Sequence, residues 1–309
     1  MNALLLLAIY SGLAAAASLL GGWIPLAFEL THRRMQIAIS FVSGVILGVG
    51  VLHLLPHAFE VLGSIDRTVS WLLGGFLFMF FLERFFHFHH HDAPDELATS
   101  EMGALPAGHA AAHAHHHHAG PSPTGARRLL PWSGAAIGLT LHGLIDGVAI
   151  AAAVEAEHDS QAWAGLATFL AIALHKPFDS LTIGTLLAAE GRSTALRHFL
   201  NACYALVTPA GAALFYLGSS EVAQTHALLG QALAFAAGAF ICIATSDLLP
   251  ELQFHRHDRG ALSVALLAGI ALAWATVLAE GGHDHGSGPP HEHLESDSQA
   301  TGHDADHHD

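Results

Sequence analysis

The sequence predicts an all-α polytopic membrane protein with eight transmembrane helices. Of its 309 residues, 52% are apolar and 12% are charged, which is about half the charged share of a soluble protein. Eight apolar runs are long enough to cross a bilayer, which takes about 20 residues. The low charge excludes a soluble enzyme, and 11 basic residues against 26 acidic ones exclude a nucleic-acid-binding protein.

The eight apolar runs, called spans 1 to 8, each fit one membrane crossing. No basic segment precedes span 1, so we interpret it as a retained helix rather than a signal peptide. The spans cover residues 3–23, 36–57, 69–88, 132–154, 162–189, 197–218, 227–250 and 261–280.

Basic residues determine the predicted orientation, because they are enriched in cytoplasmic loops. Only Arg67 lies in a loop on the opposite side, and Lys176 lies inside span 5. We therefore expect a cytoplasmic loop between spans 3 and 4 and extracytoplasmic termini. The nine basic residues on the predicted cytoplasmic side are Arg33, Arg34, Arg84, Arg127, Arg128, Arg192, Arg197, Arg256 and Arg259.

The chain divides into four predicted regions. Residues 1–88 contain spans 1 to 3, and residues 131–280 contain spans 4 to 8. Residues 89–130 form a His-rich cytoplasmic loop, and residues 281–309 form an extracytoplasmic tail with seven histidines and seven acidic residues. Neither segment can bury a core, so we expect both to be disordered. Clustered imidazoles also predict weak, exchangeable metal binding there.

An internal repeat relates span 2 to span 7. The segment Phe41–His57 reads FVSGVILGVGVLHLLPH, and Phe235–Glu251 reads FAAGAFICIATSDLLPE. Gly44 aligns with Gly238 without a gap, and Leu-Leu-Pro recurs at the same place. By the predicted orientation the two segments run in opposite directions. This pattern is typical of an inverted repeat, here spans 1–3 against spans 6–8, flanking spans 4 and 5.

Ionisable residues inside membrane spans are costly and therefore indicate function. Span 4 contains His142 and Asp146, and span 5 contains His175 and Asp179. Each pair is spaced i, i+4, which places both side chains on one helical face. Both pairs lie near the middle of their spans, and only residues 155–161 connect the two spans.

Two imidazoles and two carboxylates that converge in the membrane are a plausible set of ligands for Zn²⁺ or a similar divalent ion. The alternative is a set of hydrogen bonds between helices without a metal. Lys176 is unexpected beside a cation site, because its ammonium group repels a metal ion. It is spaced i−3 from Asp179, so it can pair with that carboxylate.

These residues resemble motifs of the ZIP (zinc- and iron-regulated, ZRT/IRT-like) family of divalent-metal transporters. In span 4 the family carries HNxPEG, and His142–Gly147 reads HGLIDG. In span 5 the family carries a histidine, an acidic residue directly after it, and a carboxylate at i+4. Here His175 and Asp179 match the ends, and Lys176 replaces the acidic residue. The run HLLPH at His53–His57 is similar to the His-rich branch of the family.

The family can hold a second metal beside the first. The resemblance implies ligands from the Asn of span 4, the acidic residue after the span 5 histidine, its i+4 carboxylate, and a glutamate before a proline in span 6. Here those positions are Gly143, Lys176, Asp179 and Thr208. We therefore expect Lys176 to occupy the second site as a built-in cation, leaving one transported metal.

The resemblance also implies a function and an assembly. We expect a divalent metal importer rather than an enzyme, with zinc as the transported substrate and no organic cofactor. Cd²⁺, Fe²⁺ and Mn²⁺ also suit His and Asp ligands. Spans 1, 4, 5 and 6 would form a moving, metal-carrying bundle. Spans 2, 3, 7 and 8 would form a scaffold and the interface of a homodimer in the plasma (inner) membrane.

Further polar residues suggest a route for the ion. His53, His57 and Glu60 can collect ions at the outer face. A further group also faces outside, where a solvated acidic loop explains it as well as an ion-collecting role does: Glu155, Glu157, His158 and Asp159. At the cytoplasmic ends of spans 3 and 7, an exit relay or a set of interfacial caps fits four residues equally well. These four residues are Glu83, His87, Asp247 and Glu251.

Three other functions are compatible with parts of this pattern. A cation-diffusion-type exporter also uses paired His and Asp, but it would have six spans, cytoplasmic termini and a folded tail domain. An intramembrane zinc hydrolase needs three protein ligands, an open position and a general base, and the sequence contains no HExxH. A passive metal sensor or store would bind metal through the His-rich segments without ion flux.

Overall fold

The computed structural model describes residues 2–22, 31–86, 131–158, 163–219, 225–254 and 259–280. Within these ranges every regular element is a helix. His87, the loop at 89–130 and the tail at 281–309 lie outside the described residues, and so do the predictions of disorder and metal binding made for them. For residues 247–254 only the backbone is described.

The helices confirm the predicted all-α polytopic membrane protein. Seven of them are long and apolar enough to cross a membrane, and span 5 is of similar length but carries ionisable residues at its centre. The helices are Ala3–Gly21 (span 1), His32–Val49 with Leu55–Leu62 (span 2), Ile65–Phe86 (span 3), Pro131–Glu157 (span 4), Leu166–Ala189 (span 5), Thr194–Ala205 with Val207–Ser219 (span 6), Thr225–Phe254 (span 7) and Arg259–Glu280 (span 8).

Prolines explain why two spans are divided. In span 2, a π-helical turn at Gly50–Leu54 joins the two helices. Pro56 follows this turn, and a proline inside a helix has no N–H to donate and clashes with the carbonyl four residues earlier. Span 6 is interrupted at Leu206, three residues before Pro209. The same two properties of proline explain this break.

Glycines bring the backbones of two pairs of spans together. Between spans 2 and 8, a Cβ on Gly44 would overlap the carbonyl oxygen of Leu266, and a Cβ on Gly269 would overlap that of Phe41. Such close approaches are typical of transmembrane helix packing through small residues.

Spans 3 and 7 repeat these contacts. A Cβ on Gly75 would overlap the carbonyl oxygen of Phe235, and one on Gly238 would overlap that of Leu72. The four positions 41, 44, 72 and 75 correspond to 235, 238, 266 and 269, a constant separation of 194 positions. The constant separation supports an inverted repeat that extends from spans 2 and 7 to spans 3 and 8.

The remaining spans pack as a second group. Gly147 of span 4 lies against the Thr208 carbonyl of span 6, and Gly211 of span 6 lies against the Leu144 carbonyl of span 4. Gly21 of span 1 lies against the backbone of Pro177 in span 5. These contacts place span 6 against span 4, and span 1 against span 5, near the His and Asp residues of spans 4 and 5.

The close approach at Gly75 can be tested by comparison with the adjacent Gly74, where a Cβ meets nothing within 4 Å. We expect Gly75→Ala to lower the free energy of unfolding by about 1–3 kcal/mol, because the methyl group must push spans 3 and 7 apart. Gly74→Ala should be neutral or stabilising by up to about 1 kcal/mol. Thermal unfolding in detergent measures both, and equal effects of the two variants would contradict the packing described here.

Candidate metal site in the middle of the membrane

The structure brings the two His and Asp pairs together at one point. His142 and Asp146 come from span 4, and His175 and Asp179 come from span 5. Each of the four offers one ligand atom, and these atoms all lie within 4.8 Å of one another. Asp146 is completely buried, and the side chain of Asp179 is 13% exposed.

The distances are close to those of a tetrahedral metal site. His142 Nε2 lies 3.5 Å from Oδ2 of both Asp146 and Asp179. His175 Nε2 lies 3.3 Å from Asp146 Oδ2 and 3.9 Å from Asp179 Oδ2. Zinc bonds of about 2.0–2.2 Å place neighbouring tetrahedral ligands about 3.3–3.6 Å apart. The four side chains therefore need only small rotations to surround one ion.

The backbone orients one of the imidazoles. His175 Nδ1 lies 2.9 Å from the carbonyl oxygen of Ala171. Because a carbonyl can only accept, Nδ1 carries the hydrogen and donates it. In a neutral ring, this leaves the lone pair on Nε2, the atom that faces Asp146. A second hydrogen bond of this kind is typical of metal-binding histidines.

Lys176 lies inside the same group. Its side chain is 1% exposed, and its Nζ lies 2.6 Å from Asp146 Oδ2 and 3.3 Å from Asp179 Oδ2. A Cβ on Gly143 would lie 3.4 Å from the Nζ atom. Thr208 is also buried in this region, with its carbonyl against Gly147. The ammonium group thus compensates the carboxylates of Asp146 and Asp179 and lies beside Gly143.

Tyr204 is a further member of this group that the sequence pattern does not indicate. Its hydroxyl donates a hydrogen bond of 2.9 Å to Asp179 Oδ2 and accepts one of 3.3 Å from Lys176 Nζ. Tyr204 lies in span 6, where no His, Asp or Glu is three or four residues away from it. Its only sequence signal is that it precedes Thr208 by four residues.

Two of the residues predicted at the outer face group with one further, unexpected residue. His53 lies in the π-helical turn of span 2, and its Nε2 is 3.0 Å from Oε1 of Glu157 at the end of span 4. His57 Nδ1 lies 3.9 Å from the same oxygen. The structure therefore groups the two histidines with Glu157, which is buried, rather than with Glu60, which is exposed.

Of the four residues considered for an exit relay, only the side chain of Glu83 is described. Its Oε1 accepts a hydrogen bond of 3.2 Å from Ser246 Oγ and so links span 3 to span 7. His87 and the side chains of Asp247 and Glu251 lie outside the described part of the chain.

The chain is similar in sequence to known zinc transporters. A family model described as ZIP zinc transporter matches residues 4–276. The chain is 33% identical over 156 residues to the zinc transporter ZIP9-B of Xenopus laevis, covering 47% of the chain and 50% of that protein. It is 26% identical over 271 residues to the zinc transporter ZIP9 of Xenopus tropicalis, covering 77% of the chain and 82% of that protein.

A third relative, the zinc transporter ZIP9 of Macaca fascicularis, is 30% identical over 163 residues, which cover 48% of the chain and 67% of that protein. The matches to the Xenopus laevis proteins span half of their length. The family model, in contrast, covers nearly the whole chain, including the helices that carry His142, Asp146, His175 and Asp179, here called the midplane group. The chain belongs to the ZIP zinc transporter family.

Proposed function

We propose that this protein imports a divalent metal ion, zinc, toward the cytoplasm by alternating access. The observation that carries the proposal is the group of His142, Asp146, His175 and Asp179 in the middle of spans 4 and 5. Two buried imidazoles and two carboxylates at tetrahedral spacing suit Zn²⁺ and leave no open position for catalysis. This ligand set therefore favours transport over an intramembrane hydrolase.

The charges at this site favour one metal ion. With both carboxylates ionised and Lys176 protonated, the metal-free group carries one net negative charge. One divalent ion changes the net charge to plus one, whereas two ions would raise it to plus three in a buried site. Such a charge is strongly unfavourable away from water. Lys176 thus replaces the second metal.

The packing supports a moving group formed by spans 1, 4, 5 and 6. All four ligands are on spans 4 and 5, which pack against spans 6 and 1 through backbone contacts at Gly147, Gly211 and Gly21. On span 4, every residue from 149 to 154 is at most 2% exposed. This packing supports a conformation in which the route toward the predicted outer end is closed, and in the proposed mechanism spans 4 and 5 move against the rest to open it.

The nine basic residues on one side support extracytoplasmic termini, a plasma (inner) membrane location and inward transport. The family resemblance favours a homodimer through spans 2, 3, 7 and 8. A cation-diffusion-type exporter is the second candidate, because it uses similar ligand pairs. The two candidates place the C-terminus on opposite sides of the membrane.

Removing His175 tests whether the midplane group carries the ion. We expect His175→Ala to reduce zinc uptake into proteoliposomes by about tenfold or more, because one of four ligands is lost. His198→Ala is the matched control, since His198 is exposed on span 6, and it should transport like the wild type. Normal uptake by His175→Ala would show that the midplane group does not carry the ion.

Lys176 limits the number of bound ions in this proposal. Replacing Lys176 with Glu removes the built-in cation and supplies a carboxylate next to Asp179. We expect equilibrium dialysis of Lys176→Glu to give one more zinc ion per chain than the wild type. Because the His-rich segments bind equally in both proteins, the difference isolates the midplane site. Equal stoichiometry would contradict the proposed replacement.

The orientation is tested by tagging the C-terminus. We expect an impermeant protease or antibody to reach a C-terminal tag on intact cells or spheroplasts, and an engineered tag in the 89–130 loop only after permeabilisation. The opposite pattern would favour the exporter.

A further inference from the structure

A second group of metal-ligating side chains joins the outer ends of spans 2 and 4. His53, His57 and Glu157 each offer one ligand atom, and these atoms lie within 4.8 Å of one another. The two rings are 4.8 Å apart, and both histidines point to the same carboxylate oxygen, Glu157 Oε1. Along span 4, Glu157 lies eleven residues beyond Asp146, or about 16 Å. The two groups are therefore separate.

We propose that these three residues form a second divalent-metal site at the outer face, for Zn²⁺ or an ion of similar size and softness. Two imidazoles and one carboxylate leave a fourth position for water, a combination that zinc accepts readily. His57 is 26% exposed, whereas His53 and Glu157 are each 1% exposed. An ion therefore arrives past His57 and binds among ligands that are otherwise shielded from solvent.

Glu157 is held in place by the backbone. Its Oε2 accepts a hydrogen bond of 2.8 Å from the N–H of Gly165, which leads into span 5. Gly165 has φ +73°, and a Cβ there would lie 2.8 Å from Val154 Cγ2. Only glycine fits this position easily. With Oε2 fixed by Gly165, Oε1 is turned toward the histidines.

The π-helical turn gives His53 its position. Gly50–Leu54 widens the helix by one residue per turn, and single π turns of this kind are frequent at functional sites. Pro56, next to His57, has no N–H to restore the α-helical pattern. The turn and the proline thus set the angle between the two imidazoles.

Metal binding at this site does not depend on the proposed alternating access. Its effect on transport rests on that proposed function. Its ligands come from span 2, which belongs to the predicted scaffold, and from span 4, which belongs to the moving group. An ion held by both spans ties them together above the packed residues 149–154. Metal at this site therefore stabilises the conformation in which the outer end is closed.

Cysteine protection tests the binding without interference from the His-rich segments. The experiment uses the whole chain with Cys203→Ala, because Cys203 is exposed and would react with the label. The buried Cys242 is retained. In this background, His57→Cys is labelled with a maleimide with and without Cd²⁺, which binds thiolates well. We expect Cd²⁺ to slow labelling about tenfold or more, and added Glu157→Gln to abolish most of this protection.

Two matched controls accompany this experiment. Glu60→Cys is on the same helix and exposed, so Cd²⁺ should leave its labelling unchanged. Glu155→Gln, two residues before Glu157, should leave the protection of His57→Cys intact. Unprotected His57→Cys, or protection that survives Glu157→Gln, would overturn the proposal.

Two further measurements separate this site from the midplane site. Cd²⁺ should still protect His57→Cys when His175→Ala is added, because the outer site does not use His175. This result is expected whether or not the midplane group transports metal. If His57→Cys does not fold, His57→Ala is compared with the wild type by equilibrium dialysis. We expect one zinc ion fewer per chain, and an unchanged number would overturn the proposal.

Discussion

Charge compensation in the middle of the membrane is the constraint on which this structure depends. Asp146 and Asp179 place two carboxylates where lipid and packed helices exclude water, and an uncompensated buried charge is very unfavourable. Lys176 supplies one positive charge within 2.6 Å of Asp146 and 3.3 Å of Asp179. The site thus combines a lysine that compensates the two carboxylates with side chains that we propose bind an exchangeable metal ion.

This arrangement requires helices that approach closely at fixed depths. Glycines provide this contact in both groups of spans, and the contacts between spans 2 and 8 recur between spans 3 and 7 at equivalent positions. The repeat thus builds a framework around spans 4 and 5. In the proposed function, metal exchange needs movement within such a framework, because the segment of span 4 from Ala149 to Val154 is fully packed.

The sequence predicts the midplane group well because its information is local. Each His and Asp pair follows helical spacing on one span, and the short connection makes spans 4 and 5 neighbours. Tyr204 and Glu157 could not be assigned in this way, because each meets its partners through contacts between distant parts of the chain. For Glu157, the decisive features are the hydrogen bond from Gly165 and the π-helical turn that orients His53, and neither follows from hydropathy or spacing.

The central claim is that one ion binds among the four midplane ligands beside Lys176. A structure of the zinc-bound protein with anomalous data at the zinc edge tests it most directly. We expect one anomalous peak between spans 4 and 5, about 2.0–2.2 Å from the imidazole and carboxylate ligands. Absence of zinc there at full loading, or two ions bridged by Asp179, would contradict it.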